Sequence, residues 1–423
     1  MRTWLTYLTA ASMILGTAPK AFADGQEKLS SLLPGLYSTV WAKNQSPFIE
    51  FFDASPDDPK FEGQFDARMA TVRSINEFVG IQLSTVPLGS SGAGFSWQFN
   101  AETGTFDRTT NSFGPSFTER ALTIGRRRLG LGFNYQHSSF DKLQGQSLRG
   151  NEIRHYTGLT DTELFFEDAL DLRLSTDTVS MYVNYGLTDH FDIGVMVPAT
   201  RVSLKATLTT HFGTKAEGVR PDDESFIDST TGTAQGVGDI VARAKYNFLA
   251  RPGGGLAAGV DVRLPTGDAE NLLGIGKSQV KVYLAGSNTV GKVSPHFNGG
   301  FTASAAPTTV LDVSQFVLHP PDELSYSGGI DVAVTPRMTV VGDLLGRTLR
   351  GVGTLQLAAS GFGERFREFR SVDGADLNLL LGAAGIKFNP RSNSLVSANV
   401  LFPLRNHGLT DTLTLVLGFD YSF

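Results

Sequence analysis

The C-terminal residues 410–423, TDTLTLVLGFDYSF, alternate between apolar and polar or small side chains. Successive side chains of a β-strand point to opposite faces, so this period of two predicts a strand with one apolar face. A half-buried strand of a soluble antiparallel sheet has this pattern, and so does a membrane barrel strand that faces lipid on one side. The apolar positions are Leu413, Leu415, Leu417, Phe419, Tyr421 and Phe423.

The same alternation recurs along the chain from about residue 124 onward. Each segment is about ten residues long, the length of a tilted strand that crosses the hydrocarbon layer. Before the terminal strand the segments lie near 126–136, 179–185, 193–197, 239–248, 258–264, 278–287, 294–304, 324–334, 338–346, 376–388 and 395–403.

The connections between these segments differ in length at the two ends of the predicted sheet. One end has short turns, after Leu187, Leu249, Asn288, Val334 and Phe388. The other end has long loops, at 141–162, 213–236, 265–277, 306–322, 347–373 and 404–411. Short periplasmic turns and long extracellular loops are typical of outer-membrane barrels, whereas a soluble sandwich has no such asymmetry.

We therefore predict an all-β, transmembrane, antiparallel up-and-down β-barrel in the bacterial outer membrane, with outer-membrane lipid around it. The alternating segments give twelve strands. The stretches AGFSWQF and TFDRTTNSF read as one further hairpin, which makes about fourteen. Both counts are even, as is usual for bacterial barrels, and twelve applies if the hairpin lies off the wall.

The N-terminal residues 1–23 have the pattern of a signal peptide, with Arg2, an apolar stretch from Trp4 to Leu15, and Ala21-Phe22-Ala23. We expect export and cleavage near Ala23. The apolar stretch is shorter than the ~20 residues that a spanning helix needs.

Residues 24–92 do not fit the barrel pattern, and we assign 93–423 to the barrel. Leucines at i, i+3, i+4 and i+7 predict one face of a short helix, which Pro34 is expected to kink or end. This segment is either a periplasmic leader or a plug inside the barrel, and its apolar residues favour a plug. The plug candidates are Leu29, Leu32, Leu33, Leu36, Phe48, Phe51 and Phe52.

Composition excludes several classes of function. The net charge of −6 argues against nucleic acid as a partner, and the absence of cysteine excludes disulfides and thiolate metal sites. The seven histidines form no zinc pattern, so we predict no metal and no cofactor. GDAENLLGIGKS (267–278) resembles a phosphate-binding loop, but Asn271 stands where that motif needs glycine, and both flanks read as strands.

One residue pair allows an enzymatic reading. His137 and Ser139 lie two apart on the face predicted to contact lipid, as in outer-membrane phospholipase A. The Asn-Gly that follows the serine in that family is Phe140-Asp141 here. We therefore expect a polar pair at the barrel rim and no enzyme.

The face predicted to line the lumen carries charges of both signs. They form either a structural network or the lining of a solute path, and the sequence leaves both open. The candidates are Asp239, Arg243, Lys245, Asp261, Arg263, Asp331 and Asp343.

Aromatic residues are expected at the membrane boundary near the short turns. Phe423 belongs there with Phe248 and Phe388. A terminal aromatic residue on an amphipathic strand also resembles the sorting signal that the barrel assembly machinery reads. We predict that role for Phe423.

Three segments together resemble an outer-membrane family labelled MetA-pathway of phenol degradation, whose wider relatives are FadL-like channels. They are NYGLTDHFDIGVMVP (184–198), GVGDIVARAKYNF (236–248) and AAGVDVRLPTGDAENLLGIGKSQV (257–280). The resemblance spans about 125–423 and implies passive uptake of small hydrophobic or aromatic compounds, with the N-terminal segment as a gate. The alternative function is a general porin for polar solutes.

Overall fold

The computed structural model describes residues 27–52, 59–84, 87, 89–90, 94–100, 102, 105–159, 164–219, 226–305, 318–372 and 374–423. The proposed signal peptide and the side chains of Phe48, Phe51 and Phe52 lie outside this description. Two helices are described, α1 (Leu29–Phe52) and α2 (Pro59–Ser84).

Strands make up most of the remaining structure. They are β1 (Trp97–Asn100), β2 (Thr105–Arg108), β3 (Leu129–Phe140), β4 (Lys142–Leu143), β5 (Gln146–Ser147), β6 (Ile153–Leu159), β7 (Leu164–Gly186), β8 (Phe191–Thr214), β9 (Gly218–Val219), β10 (Phe226–Val237), β11 (Val241–Arg251), β12 (Gly254–Arg263), β13 (Gln279–Ser287), β14 (Val293–Ser304), β15 (Glu323–Thr335), β16 (Met338–Leu349), β17 (Thr354–Ser360), β18 (Gly363–Val372), β19 (Leu377–Arg391), β20 (Ser394–Pro403), β21 (Leu409–Thr410) and β22 (Thr414–Ser422).

Twelve of these strands close into an antiparallel barrel, which confirms the predicted fold class with the smaller of the two strand counts. The order around the wall is β8, β11, β12, β13, β14, β15, β16, β19, β20, β22, β3 and β7, and the pairing of β7 with β8 closes it. The count of fourteen was wrong because β1 and β2 pair only with each other. The hairpin has the alternation of a wall strand but no neighbour in the wall.

The outer face of the wall is apolar over the middle of the strands. Most inward positions are polar or small and most outward positions are large and apolar, as the alternation predicted, with inward exceptions such as Tyr283, Leu345 and Leu401. The exposed outward residues include Phe133, Val179, Met181, Val195, Val282, Leu284, Phe297, Leu344, Ile386, Leu415, Leu417 and Phe419. An apolar belt of this kind is suited to lipid, because it would be costly in water.

Two neighbouring wall strands extend well beyond the belt. β7 has 23 residues and β8 has 24, and their upper halves pair with β6 and β10 to form a sheet above the barrel, here called the upper sheet. It stands at the end with the long loops. Its inner face buries leucines such as Leu172, Leu204 and Leu208.

The helices pack against the upper sheet. Leu29, Leu32, Leu33 and Leu36 are all buried in one core with the inner face of that sheet, and Gly232 of β10 leaves room for the side chains of Leu29 and Leu32. The two helices therefore lie at the long-loop end, and we call them the helical cap. Neither helix of the cap is long and apolar enough to cross a membrane.

The helix α1 continues past Pro34, which the sequence predicted would kink or end it. Pro34 has no N–H, so the carbonyl of Ser30 loses its partner inside the helix. The Nδ2 of Asn76 in α2 donates to that carbonyl at 2.6 Å, in a buried position. The unpaired acceptor is thus satisfied from the neighbouring helix, which allows α1 to continue.

Candidate functional site

A segment without regular structure, residues 109–125, crosses the inside of the barrel. We call it the lumen segment. Phe113 and Ala121 in it are completely buried, and Glu119 and Arg120 are nearly so. It enters from the β1–β2 hairpin and leaves at Ile124, whose carbonyl accepts a hydrogen bond from the Trp97 amide.

Backbone amides of the lumen segment donate to side chains of the wall. The amide of Glu119 donates to Oδ1 of Asn298 at 2.6 Å, and the Nδ2 of Asn298 donates back to the Glu119 carbonyl at 2.6 Å. The Ile124 amide donates to Asp192 at 2.9 Å, and the Phe113 amide to Thr339 at 3.1 Å. These polar wall residues give the segment the partners that a sheet would otherwise supply.

Two wall lysines hold carbonyls of the lumen segment. The Nζ of Lys387 donates to the Pro115 carbonyl at 2.6 Å. The Nζ of Lys245 donates to the carbonyls of Leu122 at 3.0 Å and Arg120 at 3.3 Å. Both lysines are buried, so these acceptors replace water, and Lys245 also lies 3.6 Å from the Glu119 carboxylate.

A buried histidine joins two of the predicted lumen aspartates. The ring of His296 lies 3.1 Å from Asp331 through Nδ1 and 2.6 Å from Asp343 through Nε2. The second oxygen of Asp343 accepts from the amides of Ser116 and Phe117, at 3.4 and 3.3 Å. Asp331 and Asp343 therefore belong to a network that positions the lumen segment.

Beside the lumen segment lies a cavity of about 230 Å³, here called the polar chamber. Arg243 in its wall is held by both oxygens of Asp261, at 2.6 Å each, and by Glu119 of the lumen segment. Arg347, which also lines the chamber, pairs with Glu323. Arg263 donates to the Ser84 carbonyl at 2.6 Å, which links the chamber to the end of α2.

A second cavity, of about 80 Å³, adjoins the polar chamber, and we call it the apolar chamber. Leucine is its commonest lining residue, with Leu379, Leu381, Leu401 and Leu409 among them, and Phe140, Phe402 and two prolines add to the apolar surface. Polar side chains also line it, including Gln136, Arg405, His407 and Asp411. Leu345 and Arg347 line both cavities. The two chambers together are about as large as the smallest ligand pockets of proteins, which begin near ~300 Å³.

The helical cap is joined to the upper sheet by a buried ion pair. The guanidinium of Arg68 in α2 contacts Asp168 of β7 at 2.6 Å, and the two side chains are 1% and 0% exposed. The hydroxyl of Thr210 donates to the same aspartate at 2.6 Å. The rings of Tyr37 and Trp41 each lie 5.4 Å from the guanidinium carbon of Arg68.

The sequence GDAENLLGIGKS is a loop that caps the start of α1. Asn271 accepts from the Leu29 amide at 3.3 Å, and Lys28 pairs with Asp268 at 3.2 Å. Partial burial opposes ionisation of Asp268, but hydrogen bonds from Asn271 and Lys28 lower its pKa below the usual value. The loop has a structural role at this position.

The other predicted site residues have separate positions. Asp239 accepts from the amides of Gly267 and Ile275, at 3.0 and 2.8 Å, and so holds the loop that caps α1. Phe423 lies half-exposed on the outer face at the short-turn end, where its amide donates to the Leu129 carbonyl. Its role as a sorting signal remains a prediction.

His137 and Ser139 point outward, and no hydrogen bond joins them in the part of the chain that the structure describes. The Nδ1 of His137 lies 2.8 Å from Asp177, which also accepts from the Tyr135 hydroxyl. The Ser139 hydroxyl accepts from Arg149 at 3.4 Å. The described ranges also contain no cluster of three or more His, Asp or Glu side chains suited to a metal.

Sequence reasoning missed the lumen segment and the residues around the chambers that depend on it. Glu119, Lys281, Tyr283 and Arg347 were not singled out. A weak signal was present in residues 109–125, between a hairpin and the first wall strand. This stretch contains charged residues and the dipeptide Gly114-Pro115, and its apolar and polar residues do not alternate. Such a stretch in a barrel has to lie inside or beyond the wall.

Comparison with known proteins gives similarity at the level of solved structures. No protein-family description matches the sequence. No curated protein matches it either. An outer membrane channel from Pseudomonas putida F1 is 15% identical, with a TM-score of 0.45, and the alignment covers 72% of this chain and 98% of that one.

Two FadL-type or hydrocarbon channels are also similar. A FadL homologue from Pseudomonas aeruginosa is 13% identical over 71% of this chain and 89% of its own, with a TM-score of 0.33. The CymD monoaromatic hydrocarbon channel is 8% identical over the same shares of the two chains, with a TM-score of 0.28. Similarities this low say nothing about the substrate, and the MetA-pathway label does not reappear among them.

Proposed function

We propose that this protein is an outer-membrane channel for passive uptake of small hydrophobic or aromatic compounds. The observation that carries the proposal is the pair of adjoining chambers inside a closed barrel with an apolar outer belt. The leucines of the apolar chamber offer a small apolar solute a site out of water. In this proposal the long-loop end is extracellular, and the helical cap covers the entrance.

In this proposal the lumen segment closes the lumen, so transport requires that segment to move. The cap, which contains the N-terminal residues 27–52, acts as the outer gate in this proposal. The lumen segment contains Gly114-Pro115 and, as described, forms no β-sheet pairing. It can therefore move without breaking a row of backbone hydrogen bonds. Its described contacts to the wall include individual hydrogen bonds and the ion pair between Glu119 and Arg243. A neutral hydrogen bond contributes about 1 kcal/mol, and one to a charged group about 1.5–3 kcal/mol.

The charged wall of the polar chamber favours a second function, a porin for polar solutes. Arg243, Asp261, Glu323 and Arg347 line that chamber on one side of the barrel. Charged side chains that line a pore select ions and polar solutes in other channels. The two functions differ in which solute stabilises the protein.

Ligand binding to the full chain in detergent separates the two functions. We expect benzyl alcohol to raise the unfolding temperature, because a ligand at 100 times its Kd stabilises the folded state by about 2.7 kcal/mol. Erythritol, a small polar solute, should have no such effect. Stabilisation by erythritol alone would favour the porin, and stabilisation by neither would remove the basis for uptake through these chambers.

A matched pair of variants locates the binding. Leu379→Phe fills part of the apolar chamber and should weaken the effect of benzyl alcohol. Leu415→Phe places the same side chain on the exposed outer face and should leave the effect unchanged. Equal loss in both variants would show that benzyl alcohol acts on the belt and not in the chamber.

A further inference from the structure

Lys281 is a cation in the polar chamber that the protein leaves without a direct partner. It lies on β13 and faces the chamber. Within the described residues its ammonium makes no hydrogen bond and no ion pair within 4.0 Å. The neighbouring cations differ, since Arg243 and Arg347 are held by Asp261 and Glu323.

The charges that line the polar chamber do not balance. The cations are Arg243, Arg263, Lys281 and Arg347, and the anions are Glu119, Asp261 and Glu323. The excess is one positive charge. Among the described residues neither Arg263 nor Lys281 forms an ion pair, but Arg263 donates to the Ser84 carbonyl, whereas Lys281 has no hydrogen-bond acceptor. A neutral apolar solute in the chamber would displace water from this ammonium without replacing its hydrogen bonds, which is costly. A solute with one negative charge would both pair the ammonium and balance the chamber.

Tyr283 offers a second donor on the same face of β13, two residues from Lys281. Its ring packs on the backbone of Gly259, where a Cβ would come within 2.2 Å of the ring, and lies 5.6 Å from the Arg243 guanidinium carbon. The hydroxyl is buried and has no hydrogen-bond partner among the described residues. A buried donor without an acceptor is unfavourable, and an oxygen of a bound solute would relieve it.

The apolar chamber supplies the remaining part of the site. It adjoins the polar chamber at Leu345 and Arg347, which line both. A solute with an anionic group beside Lys281 can therefore extend a ring or short chain toward Leu379 and Leu401. This arrangement suits a molecule that is apolar at one end and anionic at the other.

We propose that the two chambers bind a small organic acid, with its carboxylate on Lys281 and Tyr283 and its apolar body among the leucines. This inference rests on the proposed channel function and specifies the chemical class of the solute. Lys281 is the residue that discriminates between a carboxylate and a neutral compound of the same shape. Tyr283 orients the carboxylate.

The test is calorimetric binding of benzoate, benzyl alcohol and benzylamine to the full chain in detergent at neutral pH. These compounds share one ring and differ in charge. We expect benzoate to bind about tenfold or more tightly than benzyl alcohol, since a charge-assisted hydrogen bond is involved. Benzylamine should bind more weakly than benzyl alcohol.

The variants assign the preference to Lys281. In Lys281→Met the advantage of benzoate over benzyl alcohol should disappear, while Lys281→Arg, which keeps the charge, should retain most of it. Tyr283→Phe should weaken benzoate a few-fold and leave benzyl alcohol unchanged. Lys205→Met removes an exposed lysine of the upper sheet and should change nothing.

The outcomes distinguish this inference from the channel function. If benzyl alcohol binds as tightly as benzoate, or if Lys281→Met keeps the preference, the organic-acid inference is overturned and the hydrophobic channel stands. If neither compound binds, both fall. Loss of benzoate binding in Lys205→Met as well would attribute the preference to overall charge, which also overturns the assignment to Lys281.

Discussion

The pairing of Asn76 with the Ser30 carbonyl explains how a proline is tolerated inside α1. The expectation that Pro34 would kink or end the helix followed from its missing N–H. That missing N–H does leave the Ser30 carbonyl without a donor inside the helix. The donor comes from α2, 46 residues away in sequence. Sequence alone contains no signal for such a contact, because it depends on how the two helices pack.

We predict that Asn76→Ala destabilises the helical cap by about 1–2 kcal/mol, the cost of leaving a buried carbonyl unpaired. Hydrogen exchange at the amides of α1 measures this as a lower free energy of local opening. The reason is specific to Pro34, so the matched background is Pro34→Ala. There residue 34 regains an N–H that can donate to Ser30 within the helix.

A double-mutant cycle tests whether the effect of Asn76→Ala depends on Pro34. In the Pro34→Ala background, Asn76→Ala should cost about 1 kcal/mol less than in the natural chain, since the carbonyl keeps a partner. An equal cost in both backgrounds would mean that Asn76 acts through packing alone. Ser74→Ala, on the exposed side of α2, serves as the control.

The ion pair between Arg68 and Asp168 holds the cap on the upper sheet as a unit. Because both side chains are fully buried, removing one leaves an uncompensated charge, which typically costs about 3–5 kcal/mol. Arg68→Met should therefore release the cap while the barrel stays folded. Limited proteolysis should cut within α1 and α2, and the barrel should still migrate as a folded species in unheated gels.

A partial rescue tests the electrostatic cause. Adding Asp168→Asn to Arg68→Met removes the unpaired carboxylate and should restore part of the protease resistance. Arg73→Met changes another arginine of α2, one that makes no buried pair in the described structure, and should leave the cap in place. Release in both arginine variants would show that helix composition matters more than the pair.

The lumen segment is the element that sequence reasoning could not place. The wall strands could be predicted because each pair of successive residues has one side chain that faces lipid and one that faces the lumen. Residues 109–125 have no such period, since their partners are side chains of many different strands. The β1–β2 hairpin was mistaken for wall because local alternation does not reveal whether a strand finds neighbours.

We predict that Lys245→Met with Lys387→Met loosens the lumen segment. The carbonyls of Pro115, Arg120 and Leu122 lose their donors, at about 1 kcal/mol or more each. Hydrogen exchange at amides 113–124 should become faster, while exchange in the wall strands stays unchanged. Lys205→Met is the control, and unchanged exchange in the double variant would mean that the aspartate and asparagine contacts hold the segment alone.

At the scale of the whole molecule, the proposed channel has two closures in series. The helical cap packs on the upper sheet at the long-loop end, and the lumen segment crosses the interior of the barrel. The sequence predicted a plug at the N-terminus, within 24–92. We propose the lumen segment as a second closure, downstream of that segment in the chain, so that a conducting path requires both to open.

Conductance in planar bilayers follows from this arrangement. Arg68→Met alone should leave the current as low as in the natural protein, because the lumen segment still blocks the interior. Lys245→Met with Lys387→Met alone should give brief openings limited by the cap. The triple variant should conduct steadily, and the sum of the separate effects should fall short of the combined effect because the barriers lie in series. A steady current in Arg68→Met alone would show that the lumen segment is no barrier to ions, and the cap would then be the only gate that the channel needs.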